Sequence, residues 1–347
     1  MVRAADDAQR RFPGLGFPLA VVYKYFDDQG PYLAAIITYY TFVAVFPLLL
    51  LGTSILGFVL QGDPELQQAA LDSTLRQFPI VGDQLGRPEG LQGSVAAVVT
   101  GGLIALYGSL GLGTAIQNAM NVAWSVPRNS RPNPFLLRLK SLFLLLIAGG
   151  AVLAVTGISV TGQKLLSDAG VGGGRTLVSV ATVLLVGGIL TVLFRLATAR
   201  EHPWYYAAPG GFFVAVLWQG LQLLSTAYVN RVLTETSSMN QTFGLVLGLI
   251  GLIFLAAVIA VLGMELNVVL VRHLWPRALL TPFTDSVELT EADRKAYTSY
   301  ARAQRHKGFE QVKVSFGEPP SVLGSGSDHH DDPTPDPERS DPDPGRS

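Results

Sequence analysis

The sequence predicts an all-α, polytopic membrane protein with six transmembrane helices and both termini in the cytoplasm. Three observations lead there. Only 15% of the residues are charged while 49% are hydrophobic, and mean hydropathy is +0.36; a soluble domain carries about 25% charge. Six long stretches lack Asp, Glu, Lys and Arg altogether: Gln29–Gly62, Gly90–Pro127, Ser141–Gln163, Thr176–Phe194, Pro203–Asn230 and Thr236–Met264. Finally, basic residues are richer in alternate connecting segments. Strands buried in a soluble core run only about 4–8 residues between turns, and these runs are much longer.

Crossing the hydrocarbon takes roughly 20 apolar residues, which places spans at Tyr32–Leu60, Ser94–Ile116, Leu142–Val160, Leu177–Arg195, Pro209–Tyr228 and Phe243–Val271. The first is too long to stand upright, so a tilt or a kink at Pro47 is expected. The basic segments are the N-terminal one (Arg3, Arg10, Arg11, Lys24), the second loop (Arg128, Arg131, Arg138, Lys140), the fourth (Arg195, Arg200) and the C-terminal one from Arg272 and Arg277 to Lys313. The segments between hold only Arg76, Arg87, Lys164, Arg175 and Arg231. That asymmetry puts the basic side in the cytoplasm, and an even number of spans keeps both termini there.

Four domains follow. Residues 1–31 form a cytoplasmic segment whose Phe17–Gly30 stretch suits an interfacial helix with tyrosines at headgroup level. Residues 32–275 are the transmembrane domain. Residues 276–316 form a cytoplasmic helical extension, with Thr290 as cap and Asp293 three residues on. Residues 317–347 are a disordered acidic, Pro-rich tail, too poor in apolar side chains to fold. In the first external loop, Leu66, Ala70, Leu75 and Phe78 have the spacing of a short amphipathic helix.

The polar residues inside the spans are the candidate site. Glu265 lies seven residues before Arg272, about 10 Å deeper along the helix at 1.5 Å per residue. Unpaired charge in hydrocarbon costs several kcal/mol. Arg195 lies at the same depth, so a Glu265–Arg195 pair is geometrically open, as is snorkelling of Arg195 to lipid phosphate. Asn118, Asn121 and Asn267 can join a network there; Tyr39, Tyr40, Gln219, Gln222 and Tyr228 add polar groups to the first and fifth spans. Pro47 frees a backbone carbonyl one turn earlier. Transport path and structural network are both open readings. The glycines of the second and sixth spans suit close helix packing, with Gly244 and Gly248 as a small-xxx-small pair.

Several of these residues sit in segments that resemble a known family. The first span reads TYYTFVAVFPLLLL, with Tyr39, Tyr40 and Pro47 in place; the second closes on NAMNVAWSVPR, with Asn121 and Trp124. The fifth opens with HPWYYAAPGGFF (Trp204, Pro209, Gly210), and the last carries TFG and then GMELN, from Gly263 through Glu265 to Asn267. Phe243 stands where a tyrosine is usual. From about Tyr23 to Trp275 the chain resembles the YihY/BrkB family of bacterial inner-membrane proteins, formerly labelled ribonuclease BN. The resemblance implies six spans, location in the inner membrane and a role in envelope integrity, serum resistance, or lipid or solute export.

A nuclease needs a metal cluster or a base beside a cationic clamp. The five histidines, His202, His273, His306, His329 and His330, have no ligand spacing, and cysteine is absent. The expectation is therefore no enzyme, no cofactor, no metal and no nucleic-acid partner. Two readings remain. One is a transporter or flippase for a lipid or other envelope-related amphiphile, in which a basic rim (Arg128, Arg131, Arg138, Lys140, Arg195, Arg200) attracts anionic headgroups and a groove holds Tyr39, Asn121 and Glu265. The other is a non-transporting scaffold that recruits envelope proteins through the C-terminal helix and tail; a homo-oligomer is also open, since repeated small residues permit dimers and compact monomers alike.

Overall fold

The structure is a computed structural model that describes residues 13–59, 95–168, 174–200, 202–235, 238–279, 281, 284 and 287–317. The helix expected in the first external loop and the tail after residue 317 lie outside these residues. Among the described residues the regular structure is entirely helical: α1 (Pro13–Asp27), α2 (Gly30–Val59), α3 (Val95–Ala123), α4 (Pro134–Asp168), α5 (Gly174–Ala197), α6 (Ala208–Glu235), α7 (Ser238–Arg272) and α8 (Glu291–Ala303), with 3-10 turns at Arg128–Ser130 and Trp204–Tyr206.

Four helices hold stretches long and apolar enough to cross a membrane: Pro134–Val152, Leu177–Ala197, Ala208–Tyr228 and Phe243–Arg272. A shorter apolar stretch, Gly30–Val45, lies in α2. The chain is thus an all-α, multi-span membrane protein, with α2 and α3 occupying the other two positions at which the sequence places spans. Helix α2 runs through position 47 as part of one 30-residue element.

The ends of the helices follow local chemistry. Helix α4 starts eight residues before the expected span because Asn133 caps it: the Leu136 amide donates to Asn133 Oδ1 at 2.8 Å, and Pro134 suits the first helical position. Helix α3 runs on to Ala123 and stops where Ser125 takes φ 47 and the Val126 amide returns to the Asn121 carbonyl at 2.8 Å. That left-handed turn is a common helix terminator. Helix α7 ends similarly, with His273 at φ 51 and the Leu274 amide bonded to the Val269 carbonyl at 3.2 Å.

The helices pack in a closed ring. Each of α2 through α7 lies against its chain neighbour, and α7 returns to pack on α2. Across the ring, α3 meets α5 and α7 less extensively. Helix α1 is docked on α7 and α2, with Ala20, Val21, Lys24 and Tyr25 buried. It therefore differs from a helix lying free in the interface: one face belongs to the bundle, while Val22 and Phe26 point outward. Gly30, which opens α2, is needed there. A Cβ would stand 2.2 Å from the Tyr25 ring.

Candidate functional site

The densest polar chemistry lies at one end of the ring, where α1, the C-terminal part of α7 and α8 meet. Lys24 reaches from α1 to Glu265 of α7, with Nζ 3.0 Å from Oε2, and both residues are 0% exposed. Lys24 also pairs with Asp28, one helical turn on. The Asp28 carboxyl also meets the Glu265 carboxyl, so the ammonium and a second acid both face it. One cation thus serves two buried acids. Burial opposes the charge on Lys24, but Glu265 and Asp28 together outweigh it and hold the ammonium above the usual lysine range. Burial raises the Asp28 carboxyl, and Lys24 offsets only part of that rise.

The pairing corrects one expectation. Glu265 is matched by Lys24, and Arg195 lies elsewhere: its Cζ is 5.6 Å from the Trp204 ring centroid and its Nε is buried without a partner. The signal that finds Lys24 in the sequence is its face. Ala20, Val21, Lys24 and Asp28 recur at three- and four-residue spacing, so the lysine shares a stripe with small apolar residues. Counting it among the orientation charges concealed that.

A second charged clamp adjoins the first. Arg277, buried, pairs with Asp293 and with Asp27, the latter at 3.0 Å. Asp293 also accepts from the Ala278 amide at 3.0 Å and closes the capping box with Thr290. The cap foreseen for α8 is therefore also the bolt that fastens α8 to the chain after α7. Burial disfavours the Arg277 charge, yet Asp293 and Asp27 hold its guanidinium above the ordinary arginine range. Tyr300 of α8 lies over Lys24, with Nζ 5.5 Å from its ring, and its hydroxyl reaches Asp27 at 3.4 Å. Burial, first of all, pushes that phenol above its usual range.

Two of the three asparagines foreseen at this depth, Asn267 and Asn121, hold helix ends. Asn267 Oδ1 accepts from the Gly210 amide at 2.6 Å and its Nδ2 donates to the Ala207 carbonyl at 3.1 Å, tying α7 to the start of α6. Asn121 Oδ1 accepts from the Ala199 amide at 2.9 Å, just past α5. Gly210 and Gly263 face each other closely; a Cβ at Gly210 would stand 2.0 Å from the Gly263 carbonyl oxygen. Trp124 stacks on His202, with centroids 4.5 Å apart, and Arg272 donates to the Trp124 carbonyl. Burial keeps the His202 imidazole below the usual histidine range, helped by the positive charges of Arg195 and Arg200.

Other candidates lie apart from this end. Tyr39 is 59% exposed on the outside of α2, while Tyr40 turns inward onto Gly111. Tyr39, Asn121 and Glu265 therefore do not line one groove: the first faces outward and the other two are buried. Tyr228 covers Gly248 and donates to the Gly244 carbonyl at 2.7 Å, so the expected small-xxx-small pair accommodates a tyrosine of α6. Gln219 and Gln222 are half-buried on α6. Asn118 accepts from Arg131 at 3.2 Å. The side chain of Pro47 lies outside the described residues. Gln117, which the sequence offers alongside these residues as either cavity lining or helix contact, is buried and donates from Nε2 to the Leu137 carbonyl and to Ser141, joining α3 to α4. Sequence reasoning gave no such role to the buried Asp28, Arg277 and Ser141. Among the described residues no group of three or more His, Cys, Asp or Glu can hold a metal ion.

No solved structure matches the chain. Among curated proteins, it is 28% identical over 239 residues to a UPF0761 membrane protein of Azotobacter vinelandii (strain DJ / ATCC BAA-1303), covering 64% of this chain and 55% of that protein. The chain thus spans about half the length of that relative. Residues 21–281 match the family described as virulence factor BrkB, a stretch that begins in α1 and ends just past the Arg277 clamp. With well over half its length inside that match, the chain belongs to the YihY/BrkB (UPF0761) family of membrane proteins.

Proposed function

We propose that this protein moves an amphiphile, a lipid or another envelope-related molecule, across the inner membrane. In this reading six helices, α2 to α7, cross the bilayer, and the end carrying Lys24, Glu265 and α8 faces the cytoplasm. The alternation of Lys and Arg between connecting segments supports that orientation. The observation that carries the transport reading is the fully buried Lys24–Glu265 pair at the junction of α1 and α7. Ionisable groups at such depth are expensive, and well-packed apolar residues hold helices together at equal or lower cost. A joint that can open gains more from paired charges, because each partner can be resolvated when the two separate. The ring is then closed at its cytoplasmic end, and transport requires α1 and α7 to part there.

On the scaffold reading, α8 offers a partner only its outer face, with Glu291, Arg294 and Lys295 exposed, and the tail lies outside the described residues. Ala292, Asp293 and Ala296 of α8 are buried, and Tyr300 and Asp293 engage α1 and Arg277. The inner face of that helix is thus occupied by its own chain.

The test is lipid movement in proteoliposomes containing headgroup-labelled phosphatidylglycerol, with a membrane-impermeant quencher reporting which leaflet each label occupies. Wild-type protein should accelerate exchange between leaflets, and the conservative Glu265→Gln variant should change that rate while remaining folded. Exchange no faster than in protein-free vesicles, for phosphatidylglycerol and for a panel of labelled envelope precursors, overturns the reading.

A further inference from the structure

Several basic residues at this end are bonded to the chain's own groups. Arg128 donates to Gln304, Arg131 to the Val126 carbonyl and Asn118, and Arg272 to the Trp124 carbonyl. These guanidiniums brace loops and helix ends. Lys140 and Arg195 are different. Lys140, near the start of α4, spends one of its three donors on the Thr198 carbonyl at 3.0 Å. Arg195, near the end of α5, has a buried Nε with no partner and lies 5.6 Å from the Trp204 ring. The Lys140 contact to Thr198, one turn past Arg195, brings the two cations to the same end of the α4–α5 pair, where the charge of Arg195 opposes that of Lys140 and of a protonated His202. Among the described residues no carboxylate pairs with either of them.

Like charges held together without a counter-ion, one of them with an orphaned buried donor, are an unfinished constellation. A buried donor left unmatched costs more than the bond it would make is worth. Water satisfies such a site poorly when the flanking surface is apolar. Here Phe135 and Leu139, on the same helix as Lys140, are exposed, and Trp204, under the Arg195 guanidinium, is 52% exposed. Amphipathic aromatic rings of this kind settle at headgroup level. The missing partner must therefore be an anion with several acceptor oxygens that tolerates an apolar neighbourhood.

We propose that Lys140 and Arg195, floored by Trp204, form a binding site for a phosphate group, presented by the headgroup of an anionic lipid or by a free phosphate. Arg195 offers the fork geometry that matches phosphate, and Lys140 adds a point charge. Acyl chains of a lipid so held lie along the exposed face of α4. The site requires only that the chain be embedded in a bilayer. It does not require that anything be transported, so it survives the failure of the transport reading and can fail while that reading stands.

The experiment is calorimetric titration of the full chain in neutral detergent with three probes: monomeric dihexanoyl-phosphatidylglycerol, inorganic phosphate, and dihexanoyl-glycerol, which lacks phosphate. Saturable binding of the first is expected, with no heat from the third. Affinity should fall at least tenfold in both Lys140→Gln and Arg195→Gln. Arg131→Gln, which removes an equally charged but engaged rim residue, should leave it within twofold. Binding of phosphatidylglycerol alone identifies the lipid headgroup as the ligand; equal binding of inorganic phosphate identifies the free anion, and either supports the site. Because Arg195→Gln can disturb α5, Lys140→Gln is the second variant, and unliganded melting temperatures report whether each is folded. Absence of saturable binding by both phosphate probes overturns the proposal, as does an equal loss in Arg131→Gln, which would show only general surface charge.

Discussion

The two ends of the α6–α7 pair are joined by different physics. Toward the Glu265 end the backbones touch at Gly210 and Gly263, and Asn267 bonds directly to the first turn of α6. Toward the other end a tyrosine ring fills the space: Tyr228 lies over Gly248 and its hydroxyl reaches the Gly244 carbonyl. Backbone against backbone cannot give way, whereas a ring can rotate or withdraw. The same helix pair is thus rigidly fixed at the charged end and adjustable at the opposite one. Glycine therefore has two uses here, and only its neighbours tell them apart.

The largest effect expected is on the charged joint that flanks the rigid end. Lys24→Met leaves Glu265 and Asp28 buried without their shared cation, and loss of one partner of a buried pair costs about 3–5 kcal/mol. Thermal unfolding in detergent should show that drop, and adding Glu265→Gln should recover a substantial part of it. If Lys24→Met melts like wild type, the pair holds nothing together.

Next comes the contrast between glycines. Gly210→Ala forces a Cβ toward a carbonyl oxygen that has nowhere to go, and should cost about 3 kcal/mol, at the upper end of overpacking penalties. Gly248→Ala displaces only the Tyr228 ring and should cost about 1 kcal/mol. Equal costs in the two variants would erase the distinction between the ends.

Asn267→Ala removes two hydrogen bonds to the start of α6 and should destabilise by about 2 kcal/mol, against about 1 kcal/mol for Tyr228→Phe at the other end. Chemical denaturation of both variants in one detergent compares them directly.

The smallest effect is on pH dependence. Because the folded state holds the Lys24 ammonium above its unfolded value, its contribution is fully present below the ordinary lysine pKa near 10.5 and is lost as pH rises beyond it. Melting temperature should fall above about pH 10.5 in wild type, and that share of the fall should vanish in Lys24→Met. An unchanged alkaline profile in the variant would place the titrating group elsewhere.

How much of this was visible in the sequence depends on how far apart the interacting residues lie. Span positions follow from runs of apolar residues, so α5, α6 and α7 lie where the composition put them. The α8 cap is local, Thr290 to Asp293, and was equally legible. The need of Glu265 for company was also readable, because charge in hydrocarbon is costly. The identity of that company was not, since Lys24 lies far away in the sequence, on the first described helix, and depth alone ranked Arg195 as highly. Tyr39 and Tyr40 are adjacent, yet one faces out and the other meets Gly111; an apolar helix carries too little contrast around its circumference to say which.

Closure of the ring has a consequence for biosynthesis. Asp27 leaves the ribosome 250 residues before Arg277, and Lys24 waits nearly as long for Glu265. Throughout that interval α1 has no finished seat, and the earlier helices form an open crescent. Only insertion of α7 lets Lys24 and Glu265 meet, so the ring is latched after its last member is made. A chain cut short before Glu265 has Lys24 paired only with Asp28, and its first helix lacks the main face on which it docks.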